Sequence, residues 1–251
     1  MPIYLPPSLR YFDKNFKIIS SWMDHVPFGY DLIEAIKPNL LVELGTHAGL
    51  SFFTFCQSVV DHDLDCVCYA VDTWEGEEHS GKYENEVYDS VANYCRENFS
   101  GCSYLLRMLF EQALGHFQDN SIDIVHIDGL HTYDAVSEDF KNWYPKLKPG
   151  GIMLFHDTAV RRDDFGVWRF WNELEANEGV ETFQFYHGYG LGVLRKPFPE
   201  NSNLLQKDSM LLSYMFSDDT KDKSDLRAFY VHAARHNVVK HRQPKVLKQT
   251  I

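Results

Sequence analysis

A glycine-punctuated turn between two apolar runs is the feature that most constrains how this chain can fold. Residues 40–44 read LLVEL, Gly45 and Gly49 enclose three residues, and residues 50–56 are again mostly apolar. A buried strand, a tight turn and a helix in this order form the first unit of a nucleotide-binding α/β fold. The turn lacks the Gly-x-Gly-x-x-Gly pattern that cradles a pyrophosphate, and His47 stands where a middle glycine is expected. This difference favours a nucleoside without a pyrophosphate, such as S-adenosylmethionine, although such turns are also plain structural connections.

A second apolar run supports the nucleoside interpretation. Residues 66–71 read CVCYAV and end at Asp72, which follows Gly49 by 23 positions. An acidic side chain at the end of the second strand can accept both hydrogen bonds from a ribose diol. The alternative is an aspartate that caps a turn. With the glycine turn upstream, we favour the ribose role.

Acidic residues and histidines follow two further predicted strands. Residues 121–128 are rich in β-branched side chains and end in Asp128, with His131 three positions later. Residues 152–155 run directly into His156 and Asp157. In an open parallel sheet, ligands bind outside the carboxyl ends of the strands. The acidic residues that we place at successive strand ends, and therefore at one site, are Glu43, Asp72, Asp128 and Asp157.

Composition narrows the class of protein. The net charge of the 251 residues is −12, which argues against generic nucleic-acid binding. We find no apolar run long enough for a membrane span and no secretory signal at the start. Five cysteines have no spacing typical of a zinc site or a disulfide framework, so we expect a reducing, cytoplasmic location.

The order of predicted elements indicates an α/β fold. We expect a Rossmann-like, seven-stranded, mainly parallel sheet with a reversed C-terminal edge hairpin and helices on both faces. The helix after Asp128 is predicted over residues 132–147, and the hairpin contains the glycine-rich stretch HGYGLG at 187–192. We divide the chain into an N-terminal lead-in (1–28), a ligand-binding domain (29–198) and a C-terminal helical extension or tail (199–251), with a helix near 226–239.

Several stretches together resemble one known family. They include LVELGTHAGLSFF, AVDTWEGEEHSGKY, IDIVHIDGLHTYDAVSEDFKNWYPKLKPGGIMLFHDT and FGVWRFW followed by HGYGLGVL. The chain resembles the class I S-adenosylmethionine-dependent methyltransferases, and looks closest to a group associated with glycosyltransferases and sugar O-methylation. The resemblance covers roughly residues 25–195.

The resemblance implies roles for individual residues. The residues that would hold the cofactor are Glu43, Gly45, Thr46, His47, Gly49, Asp72, Thr73, Trp74 and Asp128. The implied catalytic residues are His131, as general base, and Asp128. Those at positions of a divalent-metal site are Asp128, His156 and Asp157, although His156 stands where an acidic ligand is usual in the family.

We therefore expect an O-methyltransferase that uses S-adenosyl-L-methionine, with Mg²⁺ or another divalent cation, on a sugar, glycan or sugar nucleotide. Because sugar C–H faces stack on aromatic rings, we consider Trp74, Tyr83 and Tyr133 for contacts with the acceptor, although each suits a core equally well. We expect no nucleic-acid partner, and residues 199–251 could form a homo-oligomer contact. Two alternatives remain: an iron-dependent oxygenase-like enzyme using His131, His156 and Asp157, or a non-catalytic S-adenosylmethionine-binding module of a glycan-assembly complex.

Overall fold

The computed structural model describes residues 20–77, 81–82, 85–177, 179–199 and 209–242. The strands of the described ranges are β1 (Leu40–Leu44), β2 (Val67–Asp72), β3 (Gly76–Glu77), β4 (Gly81–Lys82), β5 (Ser103–Arg107), β6 (Ile122–Ile127), β7 (Leu147–His156), β8 (Glu181–Phe185) and β9 (Leu191–Arg195). The α-helices are α1 (Val26–Ile36), α2 (Leu50–Asp61), α3 (Asn85–Asn98), α4 (Phe110–Ala113), α5 (Tyr133–Trp143), α6 (Val167–Glu175), α7 (Met210–Met215) and α8 (Thr220–Arg242). A short 3₁₀ helix, Ser21–His25, precedes α1.

The main sheet of the described chain has seven strands in the order β5-β2-β1-β6-β7-β9-β8. The strands from β5 to β7 are parallel to one another. Strand β9 pairs antiparallel with both β7 and β8. The expected Rossmann-like sheet with a reversed C-terminal hairpin is confirmed.

Helices cover both faces of this sheet, as expected. Neighbouring residues of a strand point to opposite faces, so a strand buried on both sides is apolar without alternation. On β1, Leu41 packs with residues of α1 and α2, whereas Val42 packs with residues of α5 and α6. Both side chains are completely buried. The apolar run that predicted β1 therefore reflects a central strand between two cores.

Helix α5 ends earlier than the sequence pattern predicts. We expected a helix over residues 132–147, whereas α5 ends at Trp143. Strand β7 begins at Leu147, which pairs with Ile122, and Gly150 adopts a φ of 76° within this strand. Pairing with β6 therefore starts before Pro149 and the two glycines that follow it.

The C-terminal elements are longer than predicted. Helix α8 spans Thr220–Arg242, not only residues 226–239, and the preceding α7 carries no clear signal in the sequence. Tyr230 of α8 donates a 2.8 Å hydrogen bond to Asp31 of α1, and both side chains are completely buried. None of the helices in the described ranges combines the length and apolar character needed to cross a bilayer.

Some expectations are not tested by these elements. Helix α1 runs across the proposed boundary at residues 28 and 29, and the division into 1–28, 29–198 and 199–251 stays a prediction. Residues 1–19 and Tyr83, one of the aromatic residues considered for sugar contact, lie outside the described residues.

Candidate active site

A cavity of about 540 Å³ opens at the carboxyl ends of the parallel strands. Leu44 at the end of β1 is level with Val71 of β2 and with Ile127 of β6, and Ile127 is level with Phe155 of β7. The loops that follow these four strands therefore meet at one edge, as the general rule for open parallel sheets requires. The cavity lies among these loops.

The glycine turn brings backbone close to backbone at this edge. Gly45 has a φ of 85°, and an added Cβ would lie 2.1 Å from the carbonyl oxygen of Asp128. Gly49 has a φ of 88° and precedes α2 directly. Both positions therefore require glycine, one for a close approach and both for their left-handed backbone. The turn from Gly45 to Gly49 lines the cavity.

Asp72 is bound to the backbone of this turn. Its Oδ2 accepts hydrogen bonds from the backbone N–H groups of Thr46 and His47, at 2.8 and 2.9 Å. Its Oδ1 accepts a 2.7 Å bond from the backbone N–H of Trp74. Since a carboxylate can accept about four hydrogen bonds, Asp72 can shape the turn and still bind a ribose hydroxyl. Asp72 and Thr73 both line the cavity.

Glu43 lies beneath the turn, completely buried and outside the cavity lining. Its Oε2 accepts a 2.8 Å hydrogen bond from the Thr46 hydroxyl, and its Oε1 lies 2.9 Å from His126 Nδ1. Trp22 Nε1 donates a 3.2 Å bond to His126 Nε2, so the proton of a neutral His126 is on Nδ1 and is donated to Glu43. This chain of bonds connects the glycine turn to Trp22, which lines the cavity.

Two carboxylates and two imidazoles lie close together where β6 and β7 end. His131 Nε2 lies 2.9 Å from Asp157 Oδ2 and 3.7 Å from Asp128 Oδ1. His156 Nδ1 lies 3.3 Å from Asp128 Oδ1 and 3.2 Å from Asp157 Oδ2. His131 is partly exposed and lines the cavity, whereas the His156 side chain is completely buried.

Mutual attraction shifts the pKa values of these four groups. Burial alone would lower the pKa of both histidines, but contact with Asp128 and Asp157 raises the pKa of His131 to about 9 and that of His156 to about 10. Burial would raise the pKa of Asp128, but the charge of His156 and the close contacts with His131 and His156 hold it below its ordinary value. The pKa of Asp157 is also lowered, against the effect of burial, by His131 and His156.

The backbone at Asp157 is unusual. Asp157 has a φ of 61°, a left-handed conformation that few non-glycine residues adopt and that aspartate tolerates better than most. Residues in such conformations are often found at active sites, where surrounding structure holds them. The turn directs the carboxylate of Asp157 to His131 immediately after β7 ends.

The donor set fits a divalent cation. Donor atoms of Asp128, His131 and Asp157 all lie within 4.8 Å of one another. Carboxylate oxygens suit Mg²⁺, and an added imidazole also suits transition metals. His156, which we expected among the ligands, lies behind the two carboxylates without solvent exposure. His131 takes its place in the group of donor atoms that faces the cavity.

Most of the residues predicted from sequence meet at the cavity. Those that line it are Gly45, Thr46, His47, Gly49, Asp72, Thr73, Asp128, His131 and Asp157. Those outside the lining are Glu43, Trp74 and His156. Trp74 is almost completely buried, and its Nε1 donates a 3.0 Å bond to the carbonyl of His47, so it supports the turn from behind. The individual roles of all these residues stay predictions.

Sequence reasoning missed part of the cavity wall. Ser20 and Ser21, from the stretch described as a lead-in, line it, as do Arg162, Phe165 and Tyr189 from later loops. Tyr133, considered for sugar contact, is outside the lining and donates a 2.7 Å bond to Glu173. The sequence did contain a signal for Arg162. Arg161 and Arg162 form a pair of positive charges shortly after the end of a predicted strand, in a chain that is acidic overall.

Part of this chain is similar in sequence to known proteins. Residues 42–158 match the family described as a methyltransferase domain. The chain is 47% identical over 172 residues to an uncharacterized protein, y4gI, of Sinorhizobium fredii, covering 68% of this chain and 19% of that protein. It is 30% identical over 122 residues to the uncharacterized protein R132 of Acanthamoeba polyphaga mimivirus, covering 46% of this chain and 50% of that protein. The chain thus spans half or less of the length of these relatives.

Solved structures share the fold at low identity. The O-methyltransferase TomG from Streptomyces achromogenes, in complex with S-adenosylmethionine, superimposes with a TM-score of 0.54 at 16% identity, covering 76% of this chain and 86% of that one. A methyltransferase from Geobacter sulfurreducens gives a TM-score of 0.53 at 14% identity, covering 69% and 78%. Residues 42–158 thus match a methyltransferase domain, and the fold of this chain is the one that these solved methyltransferases share.

Proposed function

We propose that this chain transfers the methyl group of S-adenosylmethionine to a hydroxyl group of a sugar or glycan. The observation that carries the proposal is that one cavity is lined both by the Gly45–Gly49 turn and by the His131–Asp157 pair. The first is suited to a nucleoside, and the second is suited to accept a proton from an alcohol. The family match and the fold support the methyl donor.

The donor supplies a methyl carbon that is already activated by its sulfonium, so the protein must mainly orient the acceptor and remove a proton. In the proposal, His131 in its neutral form accepts the hydroxyl proton. Asp157, whose Oδ2 lies 2.9 Å from His131 Nε2, stabilises the imidazolium that forms. Contact with Asp128 and Asp157 raises the pKa of His131 to about 9, so His131 acts as a base only after it has lost a proton, and turnover is expected to rise with pH towards about 9.

A divalent cation is a second part of the proposal. Asp128 and Asp157, with the acceptor's own oxygens, would hold a cation that polarises the hydroxyl group. His131 cannot bind such a cation through Nε2 and accept a proton at the same atom. The two roles are therefore alternatives that metal analysis and mutation can separate.

An exposed aromatic ring at the cavity supports a sugar as acceptor. Tyr189 lines the cavity with an exposed side chain and can stack on the C–H face of a pyranose. The iron-dependent alternative is not favoured, because it needs His156 as a ligand and this side chain is completely buried behind Asp128 and Asp157.

Calorimetry with S-adenosylmethionine and S-adenosylhomocysteine tests the first half of the proposal, and transfer of a labelled methyl group to a panel of sugars and glycans tests the second. Both are to be measured with and without Mg²⁺ after chelation. His131→Ala is expected to bind the nucleoside and to lose about 10²–10⁴-fold in turnover. His116→Ala is the matched control, since His116 is exposed and outside the cavity lining. Absence of nucleoside binding by the pure protein would contradict the proposal, and binding without turnover on any acceptor would favour a non-catalytic module.

A further inference from the structure

We propose that the acceptor is anionic and that Arg162 binds its carboxylate or phosphate group. This inference rests on the proposed function and deepens it by naming a substrate class. It is carried by the placement of one guanidinium without an ion-pair partner in a cavity lined by four carboxylates.

Arg162 is opposite in charge to the carboxylates of the cavity wall. The acidic residues that line the cavity are Asp72, Glu111, Asp128 and Asp157. Among the described residues, Arg162 is the one lysine or arginine in the lining, and none of the described carboxylates forms an ion pair with it. Its recorded contact is with an aromatic ring: the Cζ atom lies 5.4 Å from the ring centroid of Phe165.

The segment that carries Arg162 is attached to the residue proposed as the base. The backbone N–H of Gly166 donates a 2.8 Å bond to the carbonyl of His131, and Phe165 forms a β-bridge with Thr132. The Phe165 ring stacks on the imidazole of His131, with centroids 4.7 Å apart and planes inclined by 9°. Phe165 therefore contacts both the imidazole and the guanidinium.

Close packing fixes this attachment. A Cβ added to Gly166 would lie 2.3 Å from the backbone nitrogen of Tyr133, so the two segments approach more closely than any other residue would permit. The backbone of residues 165 and 166 is consequently held at a defined place relative to His131, and the exposed side chain of Arg162 extends from the same segment. A fixed spacing of this kind is what recognition of one charged sugar requires.

An anionic acceptor needs such a cation here. The cavity carboxylates repel a carboxylate or phosphate group, and the net charge of −12 adds to this repulsion at long range. A guanidinium compensates by donating paired, charge-assisted hydrogen bonds to either oxyanion. The shared chemistry is a sugar with an oxyanion, which can be a uronic acid or a sugar phosphate.

The test uses three sugars and two variants of the 251-residue chain. Binding of methyl glucuronide, glucose 1-phosphate and methyl glucoside is measured by calorimetry in the presence of saturating S-adenosylhomocysteine. Wild-type protein is expected to bind one of the two anionic sugars at least about tenfold more tightly than the neutral one. Arg162→Gln is expected to lose this preference and to retain its affinity for S-adenosylhomocysteine.

Arg161→Gln is the matched control. Arg161 is the adjacent residue, is exposed, lies outside the cavity lining and packs over Trp168 with a Cζ–centroid distance of 5.0 Å. It is expected to keep the preference for the anionic sugar. A preference for glucuronide over glucose 1-phosphate identifies a uronic acid as the source of the oxyanion, and the reverse identifies a sugar phosphate.

Failure of this inference can be distinguished from failure of the proposed function. Equal binding of charged and neutral sugars by wild-type protein, or an unchanged preference in Arg162→Gln, would overturn the inference, even if methyl transfer to a neutral sugar is found. Arg162-dependent preference for an anionic sugar supports it. If that preference occurs without transfer of a labelled methyl group, the anion site stands and the methyltransferase proposal fails.

Discussion

His131 Nε2 lies 2.9 Å from Asp157 Oδ2, although the two residues follow different strands of the sheet. His131 comes from the loop after β6, and Asp157 from a left-handed turn directly after β7. Only the parallel pairing of β6 with β7 brings these loops together. The candidate base and the carboxylate that would orient it are therefore a product of topology, not of proximity in sequence.

Replacing Asp157 by asparagine tests this pair. Asparagine also tolerates a left-handed backbone, so the turn is expected to persist while the negative charge is lost. We expect turnover to fall by about 10²-fold or more, because the imidazolium of His131 loses its stabilising partner. Turnover and S-adenosylhomocysteine affinity are measured together, since the affinity is expected to persist.

The matched control is Asp163→Asn, at another aspartate with a left-handed backbone (φ 48°) that is exposed and outside the cavity lining. It is expected to leave turnover close to that of the wild type. Equal turnover in both variants would show that Asp157 does not act through His131.

Gly45→Ala is expected to remove nucleoside binding. The new methyl group would lie 2.1 Å from the carbonyl oxygen of Asp128, in a backbone with a φ of 85°. Either the glycine turn or Asp128, directly after β6, has to move, and both line the cavity. Calorimetry with S-adenosylhomocysteine measures the loss, and circular dichroism reports whether the variant is folded.

Gly101→Ala provides the comparison, because an added Cβ at Gly101 has no heavy atom within 4 Å. It is expected to bind the nucleoside as the wild type does. A folded Gly45→Ala variant with unchanged affinity would show that the turn does not contact the ligand.

Glu43→Gln is expected to weaken both folding and nucleoside binding. Glu43 is completely buried, and its two carboxylate oxygens accept hydrogen bonds from Thr46 and His126. In glutamine one of these oxygens becomes an NH₂ group, so one of the two buried donors loses its acceptor. We expect the free energy of unfolding to fall by about 1–3 kcal/mol, as for a disturbed hydrogen bond to a charged group. Denaturant titration measures this change, and calorimetry measures the effect on the turn.

Glu175→Gln on α6 is the matched change at an exposed glutamate, and we expect it to alter the free energy of unfolding by less than about 0.5 kcal/mol. Similar denaturation midpoints for the two variants would mean that the charge of Glu43 does not stabilise the network.

The sheet could be predicted from the sequence because its signals are local. Each central strand contains a short apolar run, and glycines mark the turn after β1. Three of the four acidic residues that we placed at one edge line the cavity there, because strand direction alone decides which edge they follow. Asp72, Asp128 and Asp157 therefore meet at the cavity as expected.

Side-chain direction could not be read from the same pattern. Glu43 and His156 each lie at the last or next-to-last position of a strand, yet both point into the protein interior. Arg162 and Phe165 reach the cavity through a loop attached to His131 by a β-bridge at Thr132. Such a contact depends on pairing between distant segments, which carries no local sequence signal.

Asp139 of α5 gives a prediction about pH and stability. Burial, with the negative charges of Glu138 and Glu111, raises its pKa from 3.8 to about 7. The folded state therefore binds more protons than the unfolded state between about pH 4 and pH 7. Since an acid with a raised pKa favours folding only while protonated, the free energy of unfolding is expected to fall as the pH rises through this window.

Asp139→Asn removes this titration, so the variant is expected to be more stable than the wild type at pH 8 and to show no such difference at pH 4. The shift corresponds to an upper bound of about 4 kcal/mol, and partial exposure of the side chain reduces our expectation to about 2 kcal/mol. Urea denaturation at several pH values measures the difference. Glu138→Gln, which removes one of the repelling charges, should stabilise the protein at pH 8 in the same direction but by less. If the free energy of unfolding depends on pH in the same way in the wild type and both variants, the pKa of Asp139 is the same in the folded and unfolded states. A group with equal pKa values in both states contributes nothing to the pH dependence of folding.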